Sequence, residues 1–311
     1  MIAIVCPGQG SQTPGFLNPW LELPGLRDQL TALSDAAGVD LVAHGTTSDE
    51  DTIKDTAVAQ PLLVGAGLLA LRALGGGTTS TDAVPSTAVL AGHSVGEITA
   101  AAGAGVLSEE DAMRFVALRG RSMAEASAAT PTGMSAVLGG DPDDVLATIG
   151  RHQLTPANVN GAGQVVAAGS LPALAELAAD PPARARVIPL KVAGAFHTHY
   201  MEPAVDALRA AAADHDVSDP GVTLVSNRDG AVVADGREVL DRLVAQVSNP
   251  VRWDLCMERF TTLGVTAIIE LPPAGTLVGL AKRALKGVEL LAVKTPDDLD
   301  AARTLIKEHS A

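Results

Sequence analysis

Short apolar runs alternate with helix-patterned segments along this chain, and that alternation limits its fold more than any other feature. IAIVC, AVLAG, TLVSN, TAIIEL and ELLAV read as strands, while PLLVGAGLLALRAL, EEDAMRFVALRGRSMAEA, REVLDRLVAQV and GTLVGLAKRAL read as helices. Strands separated by helices predict an α/β architecture with a largely parallel sheet. No fixed-period repeat breaks the pattern.

One stretch departs from it. Between about Ser127 and Val192 the order is strand (MSAVLGG), helix (DDVLATIGR), strand (PANVN), strand (QVVAAG), helix (LPALAELAA), strand (RVIPLKV). That βαββαβ order is the ferredoxin-like one. The organisation expected is a discontinuous large α/β domain, residues 1–126 and 193–311, interrupted by a small ferredoxin-like subdomain, residues 127–192. A ligand would sit in the cleft between them. The run GGGTTSTDAVPST, Gly75–Thr87, is expected to be a flexible surface loop.

Composition narrows the function classes. The chain has 311 residues, 47% of them hydrophobic, enough for one large core with a small satellite. Asp and Glu number 36 against 22 Lys and Arg, a net charge of −14, which argues against a nucleic-acid or membrane-surface binder. Cys6, on a strand, and Cys256, in a helix, lack disulfide or metal-ligand spacing and read as buried thiols. The start, MIAIVCPGQG, has no basic n-region, and apolar runs such as Leu62–Leu71 are too short to span a bilayer. A cytoplasmic monomer is the expectation.

The chemistry concentrates in AGHSVGE, Ala91–Glu97. A strand, then His93-Ser94-Val95-Gly96, then a helix is the setting in which Gly-X-Ser-X-Gly forms a nucleophile elbow, which makes the large domain α/β-hydrolase-like. The bland alternative is a turn whose serine caps the helix. At an elbow the serine hydroxyl sits at a helix N-terminus, where free N–H groups and the dipole favour developing negative charge. The Val95 N–H is the natural oxyanion donor, and the loop CPGQGSQTPG brings Gln9 as the second. That loop has neither GxGxxG nor P-loop spacing, which excludes a phosphate cradle. The serine needs a base, and among seven histidines VAGAFHTHYM offers His197 and His199, one base and one bystander. No carboxylate or cysteine cluster accompanies the pair, so no metal is expected.

PGQGSQ (Pro7–Gln12), GHSVGE (Gly92–Glu97), LRGRSM (Leu118–Met123), NVNGAGQVVAAG (Asn158–Gly169), GAFH (Gly194–His197) and QVSNPVRW (Gln246–Trp253) together resemble the malonyl-CoA:acyl-carrier-protein transacylase family. The likeness runs in order to LPPAGTLVGLAKRAL, Leu271–Leu285. It implies Ser94 as the acylated nucleophile, His197 as its base, and Gln9 and Val95 as oxyanion donors. It implies a main-chain carbonyl near Gln246, and not an aspartate, as the partner of the histidine, and Gln246 and Asn160 as polar residues of the substrate site. Arg119, otherwise an ordinary helix charge like Arg114 and Arg121, becomes the cation that pairs with the malonyl carboxylate through two N–H···O bonds. Phe196, within GAFH, matches the malonyl-selective form. Pro272-Pro273-Ala274-Gly275 departs from the family's Gly-Pro-Gly-like turn, a change expected to touch a loop and not the chemistry.

The resemblance implies malonyl-CoA as substrate, an acyl carrier protein as partner and no cofactor. Carrier proteins are acidic, so docking would use a local basic face: Lys282, Arg283 and Lys286, or Arg184 and Arg186 near the small domain. Two other readings use the same residues, a serine thioesterase or esterase and a non-catalytic subunit.

Overall fold

In the computed structural model, which describes residues 1–76 and 79–310, the strands are β1 (Ile2–Cys6), β2 (Val89–Gly92), β3 (Thr132–Gly139), β4 (Thr155–Gly161), β5 (Gln164–Ser170), β6 (Ala185–Pro189), β7 (Thr223–Val225), β8 (Val251–Arg252), β9 (Ala267–Glu270) and β10 (Glu289–Ala292). The helices are α1 (Leu26–Ala37), α2 (Leu41–Thr46), α3 (Glu50–Lys54), α4 (Thr56–Leu74), α5 (Gly96–Gly103), α6 (Glu109–Ala129), α7 (Pro142–Arg151), α8 (Leu171–Ala179), α9 (Glu202–Ala213), α10 (Gly236–Gln246), α11 (Trp253–Thr262), α12 (Thr276–Ala284) and α13 (Leu299–His309).

β1 is buried at every residue and lies at the centre of a parallel sheet of order β10-β9-β1-β2-β7. Ile2, Ile4 and Cys6 face one core and Ala3 and Val5 the other, because successive strand side chains alternate and both faces are covered. In a parallel sheet all C-terminal ends point one way, so the loops after β1, β2 and β9 gather along one edge.

The run at Leu62–Leu71 belongs to a helix longer than it indicated. α4 has 19 residues and is apolar and long enough by composition to cross a membrane, but it is almost entirely buried beneath α1, α5 and α6. Its apolarity is that of a helix covered all round by the core.

The second sheet has the order β6-β3-β5-β4-β8. Its first four strands, with α7 and α8, follow β-α-β-β-α-β in sequence and pair antiparallel. The fifth comes from elsewhere: β8 pairs parallel with β4 through Asn158↔Val251 and Val159↔Arg252. Residues 193–311 therefore supply a strand to the sheet expected to belong to 127–192 alone, and the expected boundary after residue 126 falls inside α6. A two-residue strand is too short to show a period.

The Gly75–Thr87 run also differs from the flexible loop expected. Residues 77 and 78 lie outside the described residues, but Thr81–Ala83 forms a 3₁₀ turn, Ser80, Ala83 and Val84 are buried, and the Ser80 N–H bonds the Glu109 carboxylate at 3.0 Å.

At the end of β2 the chain turns through His93, Ser94 and Val95 into α5. Ser94 has φ of 53°, a left-handed conformation that non-glycine residues rarely adopt. Two glycines make the turn possible. A Cβ on Gly92 would lie 2.0 Å from the Gly96 carbonyl carbon, and one on Gly96 would lie 2.2 Å from the Cys6 oxygen. Both clashes are with backbone, so Gly96→Ala should lower stability by about 3 kcal/mol in denaturant unfolding. Gly150→Ala, a helical site with nothing within 4 Å of the added carbon, should instead raise it by about 0.5 kcal/mol.

Candidate active site

Ser94 Oγ lies 2.7 Å from His197 Nε2, and His197 Nδ1 lies 2.9 Å from the main-chain oxygen of Gln246. A carbonyl only accepts, so the ring proton sits on Nδ1 and Nε2 is free to accept from the serine hydroxyl. His197, like Ser94, is left-handed, with φ of 61°. It is held there by its N–H on Val247 O at 3.0 Å and by Thr198 Oγ1 on Ala195 O at 2.6 Å. Strained backbone persists only where surroundings fix it, and here it falls on both partners of one hydrogen bond. His199 is exposed and stacks on Tyr200, 4.2 Å between ring centres.

Burial, and then the nearby Arg119 charge, push the His197 imidazole down to about 3, so the base is neutral in the free protein. His93, beside Ser94, is lowered by burial as well; its Nε2 lies 2.8 Å from Asn160 Oδ1 and its ring 5.7 Å from that of Trp253.

Arg119 is 1% exposed, whereas Arg114 and Arg121 on the same helix are exposed. It donates from Nη1 to Gln60 Oε1 and from Nη2 to Gln246 Oε1 at 2.7 Å, and Nη2 stands 3.4 Å from Ser94 Oγ. Burial lowers its pKa to about 10, which leaves it cationic at neutral pH. Among the described residues it makes no ion pair, and its Nε has no hydrogen-bond partner. A buried cation held only by neutral acceptors, two amide oxygens and a hydroxyl, is poorly compensated.

Ser94 opens into a cavity of about 220 Å³ whose walls include Gln9, His93, Asn160, Phe196 and His197, together with Leu190, Val192 and Thr276, Leu277 and Leu280 of α12. The Val95 and Gln9 N–H groups bind no protein acceptor among the described residues. The turn Pro272–Gly275 itself does not line the cavity, but it leads into the helix that does. Buried Glu270 accepts the N–H groups of Gly275, Leu277 and Val278 and so seats the helix whose first turn lines the cavity. The basic residues are exposed and outside the cavity: Arg184 and Arg186 at the edge strand β6, Lys282 and Arg283 in the last turn of α12, Lys286 just beyond. No group of three His, Cys, Asp or Glu among the described residues is placed to hold a metal ion.

The acyl transferase domain family matches residues 3–309. The chain belongs to that family. It is 54% identical over 305 residues to the malonyl CoA-acyl carrier protein transacylase of Mycobacterium tuberculosis, covering 98% of this chain and 100% of the relative, and 32% identical over 310 residues to that of Escherichia coli K12, covering 97% and 99%. The fold is similar to the crystal structure of the M. tuberculosis enzyme, with a TM-score of 0.91 over 97% of this chain and 99% of that one. It is also similar, at 31% identity, to a malonyl-transacylase solved in complex with a type II PKS acyl-carrier protein, with a TM-score of 0.88 over 98% and 99%.

Three residues of this acyl transferase domain's site went unassigned in the sequence. Gln60 is the one amide in a mostly apolar helix, and a buried amide calls for a partner. Glu97 reads as an ordinary acidic residue of a first helical turn, yet it is buried. His93 lies within the elbow and carried no separate signal.

His197 binds a proton near 6.5 when unfolded but only near 3 when folded. Stability is therefore lost as pH falls from about 6.5 toward 3, by up to about 1.4 kcal/mol per pH unit. In unfolding measured between about pH 7 and 5, His197→Gln should lack this contribution and lose stability more slowly than the wild type.

Proposed function

We propose that this chain transfers a malonyl group from malonyl-CoA to the phosphopantetheine thiol of an acyl carrier protein through a malonyl ester on Ser94. One observation carries the reading: a buried, unpaired arginine 3.4 Å from the nucleophilic hydroxyl. Acyl transfer as such needs no cation there, but an acyl group that ends in a carboxylate does. The names of the relatives support the same substrate and partner.

His197 Nε2 takes the Ser94 proton as Oγ attacks the thioester carbon. The oxyanion is met by the Val95 and Gln9 N–H groups, each worth about 2.7–4 kcal/mol in such sites. The C–S bond breaks, the proton passes from His197 to the departing sulfur, and CoA leaves as its thiol. The carrier thiol then gives its proton to His197, attacks the ester and regenerates Ser94. Protein groups suffice for every step. The substrate also strengthens its own base: a carboxylate on Arg119 offsets the charge that helps hold His197 down, so basicity rises only with the correct acyl group in place.

Phe196, 7% exposed in the cavity wall, stands where it would limit branching on the acyl group. An extra methyl changes binding by about 1–3 kcal/mol, so Phe196→Ser should admit methylmalonyl-CoA more readily in competition assays. For docking, the basic residues beside β6 are favoured over those at the end of α12, because exposed Ile188 and Leu190 adjoin them and Leu190 lines the cavity.

Intact mass after brief incubation with malonyl-CoA should show one malonyl group on the wild type and none on Ser94→Ala; turnover with release of CoA and no adduct would favour hydrolysis. Arg119→Ala should slow loading by about 10²–10³-fold, the loss of a buried charge pair. Charge reversal at Arg184 and Arg186 should raise KM for the carrier protein more than reversal at Lys282, Arg283 and Lys286, with malonyl loading as the control; the opposite order would place docking on α12.

A further inference from the structure

Behind Arg119 and Ser94 lies a row of hydrogen bonds that the transfer chemistry does not use directly. Glu97, on the first turn of α5, is 7% exposed. One of its oxygens accepts the main-chain N–H of Asn227 and the other accepts an Nε2 hydrogen of Gln246. Gln246 places Nε2 3.0 Å from the Ser94 carbonyl oxygen as well, and its Oε1 accepts from Arg119 at 2.7 Å.

The direction of this row is set by groups that cannot be reversed: Arg119 only donates and the Ser94 carbonyl only accepts. An ionised carboxylate only accepts, and the Asn227 N–H belongs to the backbone and cannot be reversed. Gln246 must then donate toward Glu97 and Ser94 O, which leaves its oxygen for Arg119. A reversed amide would set NH₂ against the guanidinium and oxygen against two acceptors.

We propose that Glu97 is a positioning residue that helps fix which end of the Gln246 amide faces Arg119, and through it holds the guanidinium where the malonyl carboxylate is gripped. The inference rests on the malonyl reading above. Behind the row a cavity of about 80 Å³, lined in part by Glu97, Asn227, Arg242 and Asn249, gives the carboxylate a side away from the substrate. The groups facing it are Arg119 from α6, Arg242 from α10, Cys256 from α11, and Ser226 and Asn227 after β7. Burial raises Glu97 to about 7. Protonation turns one carboxylate oxygen into a donor, so acidification disturbs the row as an amide at this position would.

Glu97→Gln keeps the size and tests the polarity. With its oxygen on Asn227 N–H, the new amide presents NH₂ to Gln246 Nε2 and works against the orientation that Ser94 O and Arg119 require. The experiment compares the rate of Ser94 loading by malonyl-CoA with its labelling by a neutral serine reagent, phenylmethylsulfonyl fluoride, in wild type and variant from about pH 5.5 to 8.5. Both reactions need Ser94 and His197, and only one carries a carboxylate. At pH 8 the malonyl-to-reagent ratio should be lower in the variant by about tenfold or more, roughly one hydrogen bond's worth. In the wild type the ratio should fall as pH drops through about 7, and in the variant it should be flat. A ratio unchanged by the substitution, or two rates lowered equally, would overturn the proposal. Should the variant not fold, a wild-type ratio independent of pH would overturn it alone. Wild type that labels with the reagent but takes no malonyl group would instead defeat the malonyl reading.

Discussion

The site hangs from the carbonyl of Cys6. At the end of β1 this oxygen accepts the His93 N–H at 2.9 Å, and the start of α5 presses so closely on it that only glycine fits at position 96. One residue back, Val5 O takes the Leu271 N–H at 3.0 Å. The loops after β1, β2 and β9 are thus pinned to one strand end. The Gln9 and Val95 N–H groups, the proposed oxyanion donors, belong to two of these loops, and donors of that kind act only if fixed before charge appears.

Electrostatics at the site depend on what is kept apart. Glu97 and Arg119 are both buried, and a direct pair would satisfy each other and leave no cation for a substrate. Gln246 stands between them, its amide bonded to both. Its carbonyl meanwhile orients His197 without adding charge, where an aspartate would have added a second anion. One residue thus serves the nucleophile's turn, the base and the cation.

The α/β alternation, the βαββαβ order and the Ser94 elbow were legible because each is a local pattern: a period, an element order, or glycines around one polar residue. Placing Arg119, Gln246 and Asn160 at the site depended on resemblance, since nothing in EEDAMRFVALRGRSMAEA separates a buried arginine from its exposed neighbours. Gln60 and Glu97 were missed because their roles arise from partners 59 and 149 positions away. β8 was missed because two residues carry no periodicity, and α4 was underestimated because Gln60 and Pro61 hide the start of its apolar face.

β8 adds a mechanical constraint. By pairing with β4 and continuing directly into α11, it stitches the second sheet, which carries Asn158 and Asn160 on one wall of the cleft, to the body that holds Ser94. Walls sutured in this way are tied by backbone pairing and not by side chains alone. A cavity of about 220 Å³ between such walls suits a small acyl group carried on a long flexible tether better than a bulky molecule swallowed whole.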